Sequence, residues 1–359
     1  MMHFRTSVCA LALTAGGAWA GGLDRSGQSM ALLFEKGSYA ELSFGLVAPD
    51  VRGTATATYG GFASGDMAAD YSQFGLGFKM DLTDSLALAL IYDMPFGADV
   101  DYPTGTSYYA QGTVAELDTQ ALTLVAKHRF PSNVSVFGGL RYQTMEAEAR
   151  IPFVAGYTVT GEQDAALGYL IGAAYEKPEI ALRVALTYST SIEHALDTTE
   201  FGALSSVTTV ETPQSLNLEF QSGIAKNTLL IGSIRWVDWS EFVIDPAYYP
   251  PLSPLVSYTG DYTSYSLGVG RKFNETWSGA VTLGYEAPLG GYSSNLGPSD
   301  GYSSIGVGVS YTRGKMKISA GARYIDVGKA DVTLNNVIAS GNFRGNSGVA
   351  LGLKIGYSF

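Results

Sequence analysis

The segment Val349-Ala350-Leu351-Gly352-Leu353-Lys354-Ile355-Gly356-Tyr357-Ser358-Phe359 decides the fold. Val349, Leu351, Leu353, Ile355, Tyr357 and Phe359 are apolar at every second position, with Gly352, Lys354, Gly356 and Ser358 between them. Successive side chains of a strand point to opposite faces, so this run writes an apolar face and a polar face into one segment. A lipid-facing outside and a polar inside are the signature of a transmembrane β-strand.

Working back from that end, the same alternation predicts an all-β chain: a transmembrane antiparallel β-barrel of about 14 strands over residues 39–359. Gln73 to Leu82, Ser85 to Asp93, Thr119 to Phe130, Val134 to Gln143 and Ile180 to Ser189 are clear examples, as are Ser215 to Ile224, Ser264 to Phe273 and Lys315 to Tyr324. Connections alternate in length. Short turns such as Thr83-Asp84, Lys226-Asn227 and Arg313-Gly314 alternate with long predicted loops, Pro95 to Glu116, Ala147 to Asp164, Phe242 to Thr263 and Val327 to Asn346. Short periplasmic turns and long outer loops are what an up-and-down barrel requires. All 13 prolines fall in connections or at strand ends, where a missing N–H costs no ladder bond.

Parity then sorts the side chains. It turns Lys79, Lys127, Arg141, Arg183, Arg235, Lys317, Arg323 and Lys354 inward, with Glu41, Asp93 and Glu219 among the inward acids. A lysine or arginine on the lipid face near the midplane costs about 2–4 kcal/mol, which makes the inward assignment the favourable one. Trp236 and Tyr285 toward one end, and Trp277, Phe273 and Phe130 toward the other, supply interfacial girdles.

The N-terminus gives the compartment. A basic start through Arg5, an apolar stretch Val8 to Gly17 and Ala18-Trp19-Ala20 predict a signal peptide over residues 1–20, with Gly21 as the first mature residue. The stretch is too short for a helical span. Cys9 is the single cysteine and leaves with that peptide, so no disulfide or thiol chemistry is expected. Together these readings predict the outer membrane of a Gram-negative bacterium, with lipid and lipopolysaccharide as surroundings and the monomer as the working unit. A net charge of −11 argues against a nucleic-acid partner.

Catalytic chemistry has little to stand on. Of three histidines, His3 lies in the signal, His128 has lipid-facing parity and His194 sits at the outer end of a strand. Ser191 and Glu193 flank His194, but neighbours on a strand face opposite sides, so no triad forms. No enzyme activity, metal or cofactor is predicted.

Three motifs resemble the FadL/TodX type of outer-membrane transporter for long-chain fatty acids and other hydrophobic compounds. They are Thr212-Pro213-Gln214-Ser215-Leu216-Asn217-Leu218 with Trp236-Val237-Asp238-Trp239-Ser240-Glu241-Phe242, Tyr92-Asp93-Met94-Pro95-Phe96-Gly97, and Gly297-Pro298-Ser299-Asp300-Gly301-Tyr302. The resemblance implies a fourteen-stranded barrel plugged by an N-terminal hatch, here residues 21–38. It also implies passive uptake of a hydrophobic ligand through a lumenal pocket, long-chain fatty acids first among the substrates. Exit would be sideways at an inward kink of the third strand, where Ala87 and Ala89 are small and Pro95 and Gly97 lie at the outer end. The departure is N-terminal. Residues 21–38 lack the family's Asn-Pro-Ala element, which leaves an abbreviated hatch or a differently gated pore.

For the ligand, lumenal Arg141, Arg183 and Arg235 offer forks for a carboxylate, or pair with acids across the lumen. Tyr248-Tyr249-Pro250-Pro251-Leu252 with Tyr108, Tyr109 and Phe96 offers an apolar capture groove, or packs the loops. The reading from a different class is a nonspecific porin, or a structural barrel whose loops bind surface partners.

Overall fold

A computed structural model describes residues 23–250, 253–334 and 337–359; the expected signal peptide, with Pro251 and Leu252 of the expected groove, lies outside the described residues. Fourteen wall strands run antiparallel: β1 Tyr39–Asp50, β2 Tyr71–Asp81, β3 Leu86–Asp93, β4 Val114–Arg129, β5 Val134–Ile151, β6 Tyr157–Lys177 and β7 Leu182–Ser189. They continue as β8 Ser215–Ala225, β9 Thr228–Val237, β10 Tyr262–Lys272, β11 Trp277–Glu286, β12 Tyr302–Arg313, β13 Met316–Val327 and β14 Asn346–Ser358. Each pairs with its sequence neighbour, and β1 pairs with β14 from Tyr39↔Ser358 to Asp50↔Ser347, so the sheet closes on itself. Closure leaves no edge of unpaired N–H and C=O groups for lipid to meet.

The alternation read from sequence is realised. On β14, Val349, Leu351, Leu353, Ile355 and Tyr357 are exposed on the outer face, while Ala350 is fully buried. Lys79, Lys127, Arg141 and Arg235 are buried inside. Phe130, Phe273 and Trp277 form part of one exposed girdle and Tyr285 part of the other. The tight turns carry the residues their backbone demands: Asn133, Asn227 and Gly314 all have positive φ.

Two expectations need correction. Strand β7 starts at Leu182, because Pro178–Ile180 closes a 3-10 turn that the proline favours at its first position. The expected loop Ala147 to Asp164 is mostly strand: β5 runs to Ile151 and β6 begins at Tyr157, both standing above the outer girdle. Above them, Ile192–Glu200 and Leu204–Thr212 form a further hairpin bound to β6.

The other outer loops gather into a cap. Arg52–Ala55, Ala63–Asp66, Tyr292–Ser293, Ala330–Thr333 and Ala339–Phe343 make a small five-stranded sheet. Under it lies the larger apolar core, with Tyr102, Tyr108, Trp239, Phe242, Val332 and Phe343 all fully or nearly fully buried. A second, lower core fills the lumen: Met30, Leu32 and Leu33 of the N-terminal segment pack with Ala89, Val125, Phe137 and Leu170 of the wall.

Candidate functional site

The third strand is broken. β3 stops at Asp93 and the chain resumes pairing with β4 at Gly97–Asp101, but the register steps from Asp93↔Ala121 to Gly97↔Asp118. Four residues on one side therefore span three on the other, a bulge that bends the strand. Pro95 sits in it, and Thr119 Oγ1 ties both the N–H and the C=O of Phe96, each at 2.8 Å.

The bend opens the wall. The β2–β3 ladder ends at Leu76↔Tyr92, and backbone pairing between these two lines of chain resumes at Ala68↔Val100. Between those levels the ladder has a bounded gap, here termed the window. Its β3 side is paired instead by the N-terminal segment: Asp24 bridges Phe96, Arg25 N–H donates to Pro95 C=O at 2.8 Å and Gly97 N–H to Leu23 C=O at 2.9 Å.

Asp24 and Arg25 point to opposite sides of this short ladder. Asp24 accepts from Arg235, which is also held by Asn217 Oδ1 at 2.8 Å. Arg25 pairs with Asp99, lies 3.8 Å from Asp118, and stacks 4.2 Å from the centre of the Tyr71 ring. Further along, Ser26 Oγ donates to Asp93 at 2.5 Å, Arg141 to Gln28 Oε1 at 2.5 Å, and Ser29 Oγ to Glu219 at 2.5 Å. Lys127 Nζ reaches Leu33 C=O at 2.5 Å, and Lys79 Nζ the carbonyls of Glu35 and Gly37 at 2.9 Å. With Asn217 donating to the Gly27 C=O at 3.1 Å, seven lumenal wall residues thus hold one 16-residue stretch, 23–38, inside the barrel.

Three hollows adjoin it. The outer one, about 990 Å³ of empty space partly open to solvent, lies among Ala115, Leu117, Ala149, Leu196, Leu255 and Leu296, with no Lys or Arg in its lining. A smaller one shares Leu23, Ala98, Val100 and Leu296 with it and is bordered by Arg25 and Tyr71. The third lies below the window and is bordered both by lumenal Gln73 and Asp93 and by Phe44, Phe74 and Leu76 of the lipid-facing set.

The residues singled out from sequence fall into separate places. Arg141 and Arg235 are engaged by the N-terminal segment as described, and Arg183 lies over the Phe34 ring, 4.7 Å from its centre. No two of the three share a ligand-sized hollow among those described. Tyr108 and Tyr109 pack with Tyr102, Tyr59 and Phe153, Tyr249 packs on Tyr157, and Phe96 meets Trp239 edge-on at 5.7 Å. Tyr248 is exposed, and its N–H donates to Glu200. None of these aromatics lines the outer chamber, whose lining mixes aliphatic side chains with Tyr258, Tyr262 and Tyr292, several Ser and Thr, and the carboxylates Glu116 and Glu148. Burial pushes the Tyr102, Tyr108 and Tyr109 phenols upward and Tyr249 to about 12, so they remain protonated donors. Ala87 and Ala89 are buried below the break; Ala89 makes room for Met30 and Leu33 rather than for the bend, which falls at Met94 to Phe96.

Sequence reasoning assigns no role to Asp24 or Arg25 and does not connect them to Tyr71, Asp99 and Asp118. The available signal is an adjacent acid and base in a short N-terminal stretch that must sit against a charged lumen.

No protein-family model and no curated protein sequence matches the chain. Solved structures do. A FadL homologue from Pseudomonas aeruginosa superimposes with a TM-score of 0.73 at 14% identity over 92% of each chain. The toluene transporter TbuX of Ralstonia pickettii gives 0.64 at 13% identity over 91% of each. The toluene transporter TodX of Pseudomonas putida gives 0.64 at 11% identity, covering 95% of this chain and 96% of its own. At such identities the likeness speaks for architecture, and the fold of this chain is the fourteen-stranded barrel fold of the FadL/TodX type.

Proposed function

We propose that the protein is a passive outer-membrane channel for hydrophobic compounds. Ligand enters the largely apolar outer chamber, passes the N-terminal segment and leaves sideways through the window between β2 and β3. The observation that carries this reading is the window itself, bounded above and below by ladder contacts and bordered by a hollow that touches both lumenal and lipid-facing residues. The likeness to barrels described as toluene transporters supports hydrophobic cargo. Residues 23–38 act as a short hatch, since they occupy the lumen and engage its charged wall residues.

Long-chain fatty acids remain in the proposed range, with Arg141 and Arg235 available to a carboxylate once the hatch leaves them. Uncharged hydrophobes fit the resting chamber more directly, because its lining has no Lys or Arg. The test is uptake of labelled toluene and labelled oleate by cells lacking their own carriers, with conductance measured in planar bilayers. Uptake with low conductance is expected. Steady conductance without uptake of either compound overturns the reading in favour of a porin.

A further inference from the structure

Arg25 occupies a place that only a stepped wall provides. Asp118 lies on the outward face of β4 with Gln120 and Leu122, both exposed, and Gly97 is its register partner. Tyr71 shares its face of β2 with buried Gln73 and Lys79, the lumenal face. The Arg25 guanidinium contacts Asp118 and Tyr71 together. One side chain touches the outward face of one strand line and the inward face of the next only where the broken third strand has moved into the lumen. Arg25 fills that step.

Its packing is tight and its bonding incomplete. The residue is 3% exposed, and a Cβ on Gly97 would collide with its guanidinium. Asp99 and Asp118 hold the terminal nitrogens, while buried Nε has no hydrogen-bond partner. A buried guanidinium with an unmet donor gives up part of its desolvation cost when it leaves, so this contact is poised to release.

We infer that Arg25 is the bolt of the lateral window: paired to Asp99 and Asp118 and lying over Tyr71, it closes the step between β2 and the displaced third strand, and its withdrawal opens the route to the membrane. This rests on the transport reading and adds the residue that sets the resting closed state. Arg25 is a positioning residue for the hatch and contacts no ligand in that role.

The test uses the full-length protein in lipid vesicles, with phenylglyoxal as an arginine-specific probe read by mass spectrometry. In the unaltered protein Arg25 is slow to react. In Asp99→Asn/Asp118→Asn, which keeps the side-chain volumes, its modification and the basal conductance both rise roughly tenfold, the worth of a lost charge-assisted pair. A second variant, Asp24→Cys/Phe96→Cys, uses a cross-strand pair whose Cα separation suits a disulfide. Oxidation is expected to stop toluene uptake, and reduction to restore it. Uptake by the oxidised form at the reduced rate overturns the inference, as does unchanged Arg25 reactivity in the double Asn variant. If no form takes up toluene or oleate while Arg25 reactivity and conductance still rise in the Asn variant, the transport reading falls and with it the route to the membrane, leaving Arg25 only as the residue that pins the N-terminal segment to the wall.

Discussion

Asp24 and Arg235, 211 positions apart in sequence, meet in the lumen with the carboxylate of one facing Nε and Nη2 of the other. Arg235 is buried and anchored by Asn217, so the wall fixes its side of this pair. Arg235→Ala leaves Asp24 without its partner, at a cost to the docked hatch of about 3–5 kcal/mol. The expected outcome is a raised basal conductance in planar bilayers, with partial recovery in the exchange Asp24→Arg/Arg235→Asp.

The lipid-facing assignment has its own test. Leu124 is half exposed on the outside of β4, while Thr123 beside it is buried within. Leu124→Lys should destabilise the barrel by about 2–4 kcal/mol in urea unfolding from vesicles. Thr123→Lys, facing a lumen that already holds Arg141 on Thr123 Oγ1, should cost less in the same assay and change conductance instead.

How far the fold could be read from sequence follows from this same alternation. On β5 the apolar set faces out at Val136, Leu140 and Tyr142, with Arg141 and Gln143 inside. Above Tyr142 the phase persists but the polarity reverses: Met145, Ala149 and Ile151 are buried, and Glu146, Glu148 and Arg150 are exposed. A search for apolar-outward strands ends where lipid ends, so the extension reads as a loop. The charged inner wall was legible because lipid forbids the alternative. Its partners were not, since the hatch that meets Arg141 and Arg235 has no periodicity and its contacts span more than 100 residues.

Acidification should loosen the outer hairpin. His194 is fully buried, donates from Nδ1 to Asp164 at 3.0 Å and accepts at Nε2 from Gln143 at 3.2 Å. Burial lowers its pKa, against the opposing pull of Asp164. The unfolded hairpin therefore binds protons first as pH drops, and the stabilisation is complete above the ordinary histidine value of about 6.5 and lost as pH falls from there toward the lowered folded value. The protection of the 192–212 amides, measured against the intrinsic exchange rate at each pH, should fall between pH 7 and pH 5, and His194→Gln should remove that pH dependence.

Leu196 lies on the wall of the outer chamber and is almost fully buried. Leu196→Asp adds a carboxylate to a lining that already holds Glu116 and Glu148 and has no Lys or Arg. Toluene uptake should fall at least about tenfold, the effect of an uncompensated charge in an apolar site. The heat-modifiable migration of the barrel on gels should stay unchanged, because the residue stands above the membrane band.

The seam of the barrel bears on how the molecule is put together. β1 finds β14 as its partner, and the N–H of Phe359 reaches Ser38 C=O at 2.9 Å, so the cylinder shuts only after its last strand has been made. Closing so long a loop carries an entropic cost that local pairing does not share. Residues 23–38 run directly into β1 and touch β2, β4, β5, β8 and β9 from within. One segment continuous with the seam strand β1 is therefore bonded to five other strands spread around the wall. The residues that fill the lumen of the finished barrel thus also tie its seam strand to the far wall.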